Sequence, residues 1–119
     1  MAFDPATLNY DARGLIPCIT QDSATGEVLM FAWMNATSVA RTLATGRVTY
    51  WSRSRGDFWV KGETSGHIQV LQDLRIDCDR DCLLALVEQT GPACHTNRRS
   101  CFYTALRDGD EVEILQPAS

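Results

Sequence analysis

The chain has 119 residues, 45% apolar and 22% charged, ordinary globular usage that argues against disorder or a fibrous repeat and allows one core rather than two. Its net charge of −4 argues against broad nucleic-acid binding, which needs a basic surface. No apolar run approaches the roughly 20 residues of a membrane span, and the opening Met1-Ala2-Phe3-Asp4-Pro5 lacks the charged-then-apolar layout of an export signal, so a single cytoplasmic domain over residues 1–119 is expected.

Gly14 to Thr20 reads as a short strand, and Asp22-Ser23-Ala24-Thr25-Gly26 as the turn into a second, Val28 to Trp33. Asn35 is placed to cap a helix from Ala36 to Ala44, with Val39, Ala40 and Leu43 at helical spacing and Gly46 positioned to end it. Val48 to Arg53 and Phe58 to Lys61 make a second hairpin about Ser54-Arg55-Gly56-Asp57. From His67 the pattern alternates: Ile68, Val70, Leu74, Ile76 and Cys78 fall on one face, with Gln69, Asp73, Arg75, Asp77 and Asp79 on the other. A long half-buried strand is predicted there. Leu83 to Val87 has no decisive period and reads as a buried strand or a helical turn. Phe102 to Leu106 and Val112 to Leu115 form a last hairpin around Arg107-Asp108-Gly109-Asp110. Many antiparallel strands with one main helix predict a β-rich α+β domain shaped as a partly closed barrel.

Five cysteines without an export signal read as thiols or metal ligands rather than a disulfide framework. Cys78, Cys94 and Cys101, with His95 beside Cys94, are the densest set of soft ligands, and three of them leaving a fourth position open is the layout of a catalytic zinc site. The six residues between Cys94 and Cys101 exceed the spacing of a structural knuckle, and the alternative is that these cysteines are small buried hydrophobes. Asp77, Asp79 and Asp81 alternate along an extended segment, which gives either a magnesium-binding face or a plain solvated one. On a regular strand Cys78 then faces the opposite way, so one ion does not take both ligand types. Trp51-Ser52-Arg53-Ser54-Arg55 and Trp59 through Gly66, with Lys61, Glu63, Thr64 and Ser65, combine aromatic surface, cations, hydroxyls and glycines. Such loops seat phosphates, although Gly62 and Gly66 are spaced unlike a Walker loop; the alternative is two turns with core tryptophans.

Taken together, these motifs resemble one family. Gly14-Leu15-Ile16-Pro17, Gln21-Asp22, Gly26-Glu27-Val28-Leu29-Met30 and Met34-Asn35 are similar to the opening of phosphoribosyl-AMP cyclohydrolases. Trp51-Ser52-Arg53-Ser54-Arg55, Lys61 to Gly66, Asp77-Cys78-Asp79-Arg80-Asp81 and Cys94-His95-Thr96 followed by Ser100-Cys101-Phe102 match that family's motifs in order. Asn97 stands where the family usually has glycine, and asparagine tolerates a left-handed backbone better than most residues. Cys18 and Cys82 lie outside the motifs and read as buried thiols.

The resemblance implies zinc on Cys78, Cys94 and Cys101, magnesium on Asp77, Asp79 and Asp81, and a catalytic role for His95. It implies a homodimer whose zinc site is assembled at the interface, a β-rich pseudobarrel capped by a helix, and hydrolytic opening of the purine ring of 1-(5-phosphoribosyl)-AMP at N1–C6 in histidine biosynthesis. Arg53, Arg55, Lys61 and Arg99 are the candidate clamps for the two phosphates, with Trp51, Ser52, Ser54, Glu63, Thr64 and Ser65 completing the substrate site. A fused phosphoribosyl-ATP pyrophosphohydrolase domain, carried by some relatives, is not expected. Two rival readings are a non-enzymatic zinc module, which needs a closed four-ligand shell, and a zinc purine deaminase, whose His-x-Glu and Pro-Cys-x-x-Cys pairing is missing.

Overall fold

A computed structural model describes residues 2–118. After a 3-10 turn at Pro5–Thr7, strands β1 (Ile16–Asp22) and β2 (Val28–Met34) pair antiparallel with Ile16 opposite Met34. Asp22 closes their turn, its Oδ1 accepting the Ala24 and Thr25 N–H groups at 2.9 Å each, as a side chain mimicking a backbone turn does. Asn35 caps helix α1 (Ala36–Thr45): its side chain accepts the Ser38 N–H at 2.8 Å while the Ser38 hydroxyl accepts the Asn35 N–H at 2.7 Å. Two donors of the first turn are thereby satisfied reciprocally. Gly46 ends the helix, its N–H donating to the Thr42 carbonyl.

The inward face of α1 differs from the one expected. Ser38, Val39 and Thr42 are buried, whereas Ala40 and Leu43 face out. The polar member is fixed by a neighbour: the Thr42 hydroxyl accepts the Thr49 N–H at 3.0 Å and donates to the Thr49 carbonyl at 3.3 Å. This bond pair seats the helix on the next strand, and it removes the cost of burying the hydroxyl.

Strands β3 (Thr49–Ser52), β4 (Asp57–Val60), β5 (Gln69–Ile76) and β6 (Leu83–Gln89) complete a six-stranded sheet in the order β4-β3-β2-β1-β6-β5. The sheet curls on itself. Arg47, just before β3, bridges Val70 of β5, and the Val48 N–H donates to the Gln69 carbonyl at 3.2 Å. The expected partly closed barrel is therefore present, and the segment Leu83–Gln89 is a strand. One pairing departs from the antiparallel expectation: β6 runs parallel to β1, with Cys18 opposite Leu83. The β5–β6 hairpin folds back to place β6 between β5 and β1, a long-range placement that local periodicity does not encode. The last hairpin, β7 (Thr104–Arg107) and β8 (Asp110–Glu113), forms a separate two-stranded sheet.

The face assignment on β5 also needs correction. Gln72 is an extra residue between the pairs Leu71–Val87 and Asp73–Leu86, a bulge that reverses the alternation. Before it Gln69 is fully buried and Leu71 packs on the core; after it Leu74 and Ile76 do so. Gln69 is tolerated inside because a chain of bonds satisfies it. Thr20 Oγ1 and Tyr50 OH lie 2.7 Å apart, Tyr50 OH donates to Gln69 Oε1 at 2.6 Å, and Gln69 Nε2 donates to Gln89 Oε1 at 2.8 Å. This polar chain crosses an otherwise apolar core of Ile16, Leu29, Met34, Val39, Val48 and Leu83 and costs little because its members are paired. Cys18 lies in the same core and burial pushes its thiol up to about 12; Cys82 is only half-buried.

Candidate active site

The loop that follows β6 is stitched onto β2. Ser100 Oγ donates to the Val28 carbonyl and the Cys101 N–H to the Leu29 carbonyl, each at 2.7 Å. Arg99 reaches the β1–β2 turn, pairing with Asp22 and, at 3.0 Å, with Glu27. Among the phosphate clamps suggested by sequence, Arg99 is thus already held by two carboxylates. Asn97 adopts φ 66°, a left-handed conformation that asparagine tolerates, and its Nδ2 donates to the Ala118 carbonyl at 2.6 Å.

This stitching brings Cys94 and Cys101 together, with Lys61 beside them. Burial would raise the Cys94 thiol, but the Thr96 hydroxyl, 3.0 Å from Sγ, the Thr96 N–H, the Cys101 thiol and the Lys61 charge together hold it below the ordinary thiol range. Cys101 takes the opposite sense, pushed up to about 11 by burial and by its hydrogen bond and charge interaction with Cys94. Lys61 is buried, its Nζ donating to the Ala93 carbonyl and lying 5.0 Å from the centre of the Trp59 ring. Burial pulls Lys61 down while the two thiols oppose that shift. Among the described residues it forms no ion pair with a carboxylate, and the ionisable groups that favour its charged form are Cys101 and Cys94. A cation next to a thiol favours the thiolate, the form that binds metal. One Lys61 N–H is held by the Ala93 carbonyl beside the cysteines, which leaves two donors for the phosphate contact expected from sequence.

Cys78 is exposed and does not join Cys94 and Cys101 within the chain. It sits in the turn after β5, where Asp77, Asp79 and Asp81 converge, one ligand atom from each lying within 4.8 Å of the others. The convergence arises differently from the strand geometry predicted. β5 ends at Ile76, and Arg80 turns the chain at φ 61° while Asp77 Oδ1 accepts the N–H groups of Asp81 and Cys82 at 3.0 and 3.1 Å. A hydrogen bond to Asp77, then burial and the charges of Asp77 and Asp79, raise the Asp81 carboxyl above its ordinary value. Such mutual repulsion is what a divalent cation with hard-oxygen preference relieves.

Two cavities flank Trp59, which lines both. The first, about 480 Å³, has Lys61, Glu63, Thr64 and Ser65 on one wall, Cys94 and His95 on another, and Arg55 also contributes. The second, about 550 Å³, is lined by Trp51, Ser52, Arg53 and Ser54 together with Arg13 and Trp33. The Arg53 guanidinium stacks 4.7 Å from the Trp33 ring centre. The residues proposed from sequence to bind substrate, apart from Arg99, which lines neither, are therefore brought to two neighbouring cavities rather than one. Arg13 and His67, not singled out from the sequence, line the second and first cavity, and Thr96, quoted there only as part of a motif, bonds the Cys94 sulfur. A signal was available for His67, which directly follows the Lys61–Gly66 motif and is one of two histidines in the chain.

The phosphoribosyl-AMP cyclohydrolase family model matches residues 30–103, a span holding the three candidate ligands Cys78, Cys94 and Cys101, the aspartate turn and both histidines. Proteins named phosphoribosyl-AMP cyclohydrolase are 75% identical in Ruegeria pomeroyi and 78% in Cereibacter sphaeroides, each over 117 residues, 98% of this chain and 98% of the relative. The chain belongs to the phosphoribosyl-AMP cyclohydrolase family. It is accordingly an enzyme, a hydrolase of the cyclohydrolase type. A further relative of that name, from Jannaschia, is 76% identical over 115 residues, 97% of each chain, so the similarity extends well beyond the motifs. No helix among the described residues is long and apolar enough to cross a membrane.

Proposed function

We propose that the chain hydrolyses 1-(5-phosphoribosyl)-AMP, adding water at C6 of the purine and breaking the N1–C6 bond, as a step of histidine biosynthesis. The observation that carries this reading is the cavity where His95 and a low-pKa Cys94 meet the hydroxyls of Thr64 and Ser65, in a chain of this family. Alkylation at N1 leaves the ring amidine electron-poor, so C6 accepts a nucleophile and N1 becomes the leaving atom. The exocyclic nitrogen stays on C6 as a carboxamide, and no ammonia is released.

The donor set fits zinc: Cys94 is disposed towards thiolate, Cys101 adjoins it, and Thr96 orients the first sulfur. Cys94, Cys101 and a Cys78 would hold zinc, which when bound would supply the Lewis acidity that brings water within reach of ionisation near neutral pH. His95, exposed on the cavity wall, moves protons between the incoming water, the exocyclic nitrogen and N1. Because Cys78 lies apart from the other two cysteines in one chain, the third thiol comes from a second copy in a homodimer. Asp77, Asp79 and Asp81 hold magnesium, and Arg53 and Arg55 contribute positive charge at the two cavities.

The direct test mixes purified, zinc-loaded protein with phosphoribosyl-AMP and follows ultraviolet absorbance. Ring opening in catalytic yield supports the reading; a flat trace with intact substrate refutes it. Separate metal sites carry a further prediction. Asp77→Asn and Asp79→Asn are expected to weaken magnesium activation while zinc stays near one per chain, measured by activity titration and elemental analysis. Equal loss of both metals would show that a single site had been divided in two.

A further inference from the structure

We infer that His67 is a second substrate-contacting histidine, which seats one of the two phosphate groups together with Thr64 and Ser65; this rests on the phosphoribosyl-AMP reading above. The chain has two histidines, and both line the cavity of about 480 Å³, His95 from the loop after β6 and His67 from the approach to β5.

His67 is fixed on three sides. A Cβ on Gly62 would come within 2.4 Å of the His67 carbonyl carbon, and a Cβ on Gly91 within 2.7 Å of ring Cδ2 and 3.2 Å of Nε2. Both glycines also have φ in the left-handed region, 78° and 69°, so a side chain at either position is disfavoured by strain as well as by contact. On the third side, the His67 N–H donates to Ser65 Oγ at 3.2 Å and its carbonyl accepts from Gln89 Nε2 at 3.3 Å. Gln89 is the outer end of the buried Thr20–Tyr50–Gln69–Gln89 chain, so the core itself anchors this residue. An imidazole held this way loses little freedom when a ligand arrives.

The surroundings select an anion. Arg55 and Lys61 face Glu63 alone among acidic residues of the lining, in a chain whose net charge is −4. One of the three Lys61 N–H donors goes to Ala93, so that wall offers an anion the remaining Lys61 donors, the Thr64 and Ser65 hydroxyls and the His67 ring. A phosphate monoester, with several acceptor oxygens, matches two hydroxyls and one ring N–H.

Steady-state kinetics on phosphoribosyl-AMP tests the assignment, with AMP and inorganic phosphate as competitors. His67→Ala is expected to raise KM about tenfold or more with kcat within about threefold, the signature of a lost charge-assisted hydrogen bond made equally in ground and transition states. Competition by phosphate should weaken in parallel, and His67→Gln, which keeps a donor, should recover most of the loss. A fall in kcat at constant KM, or no change in either, overturns the proposal. If thermal unfolding shows His67→Ala to be destabilised, Thr64→Val decides: KM and phosphate inhibition must both weaken, and unchanged values overturn the proposal. Should wild type fail to turn over phosphoribosyl-AMP, the parent reading falls instead. Calorimetric titration of phosphate into wild type and His67→Gln against Thr64→Val then still separates a phosphate seat, weakened in Thr64→Val, from a plain wall with equal binding in all three.

Discussion

Cys94→Ser and Cys101→Ser are each expected to lose bound zinc and on the order of a thousandfold in turnover, because a hard, neutral hydroxyl replaces a soft thiolate and water loses its route to ionisation near neutral pH. The two positions differ in surroundings but not in expected outcome. Cys94 is the thiol held low, by Thr96, Cys101 and Lys61 against the cost of burial; Cys101 is the partner pushed up to about 11 and is placed by its own N–H bond to Leu29. That backbone bond survives substitution, so the fold around the site should be kept. Turnover and elemental zinc, measured on the same chelator-treated and zinc-reloaded samples, check the prediction. Full activity with stoichiometric zinc in either variant would remove that cysteine from the site.

Mixing two inactive proteins should restore activity. Cys78→Ala and Cys101→Ala each damage both sites of a homodimer, but a heterodimer of the two has one interface site with every thiol present, if Cys78 serves the opposite subunit's Cys94 and Cys101. Activity up to about half of wild type per heterodimer is then expected, since a two-fold interface presents two equivalent sites. The motivation is the separation observed in one chain: Cys78 is exposed in the aspartate turn, away from the Cys94–Cys101 pair. Circular dichroism of each variant checks folding beforehand, and tagged subunits verify exchange. A verified heterodimer that binds zinc yet stays inactive would place all three thiols of each site in one chain.

Much of this fold is legible in the sequence where interactions are local. The Asn35 cap, the Asp22 turn and the Arg107–Asp110 turn between β7 and β8 were signalled by residues within a few positions of one another, and the structure forms each of them. The parallel β1–β6 pairing was not legible, because Cys18 meets Leu83 across a large sequence separation. The buried face of β5 was misread for a different reason: the Gln72 bulge reverses a period-2 pattern, and Gln69 is inside only because Tyr50 and Gln89 satisfy it. At the site, the candidate ligands were picked out by composition and motif order, and the structure brings Cys94 to Cys101 and gathers Asp77, Asp79 and Asp81 while Cys78 stays apart. What composition does not carry is which side chains face each other, so the Lys61–Ala93 bond and the division of the candidate substrate residues between two cavities emerge only in three dimensions.

The central claim, hydrolytic opening of the ring at N1–C6, is tested most directly by mass spectrometry of the product formed from phosphoribosyl-AMP in oxygen-18 water. The expected product is heavier than the substrate by one molecule of solvent water, its labelled oxygen in the new carboxamide, with both phosphoribosyl groups retained and no ammonia released. A product that has exchanged its exocyclic nitrogen for labelled oxygen, with ammonia in equal amount, would contradict it and identify a deaminase instead.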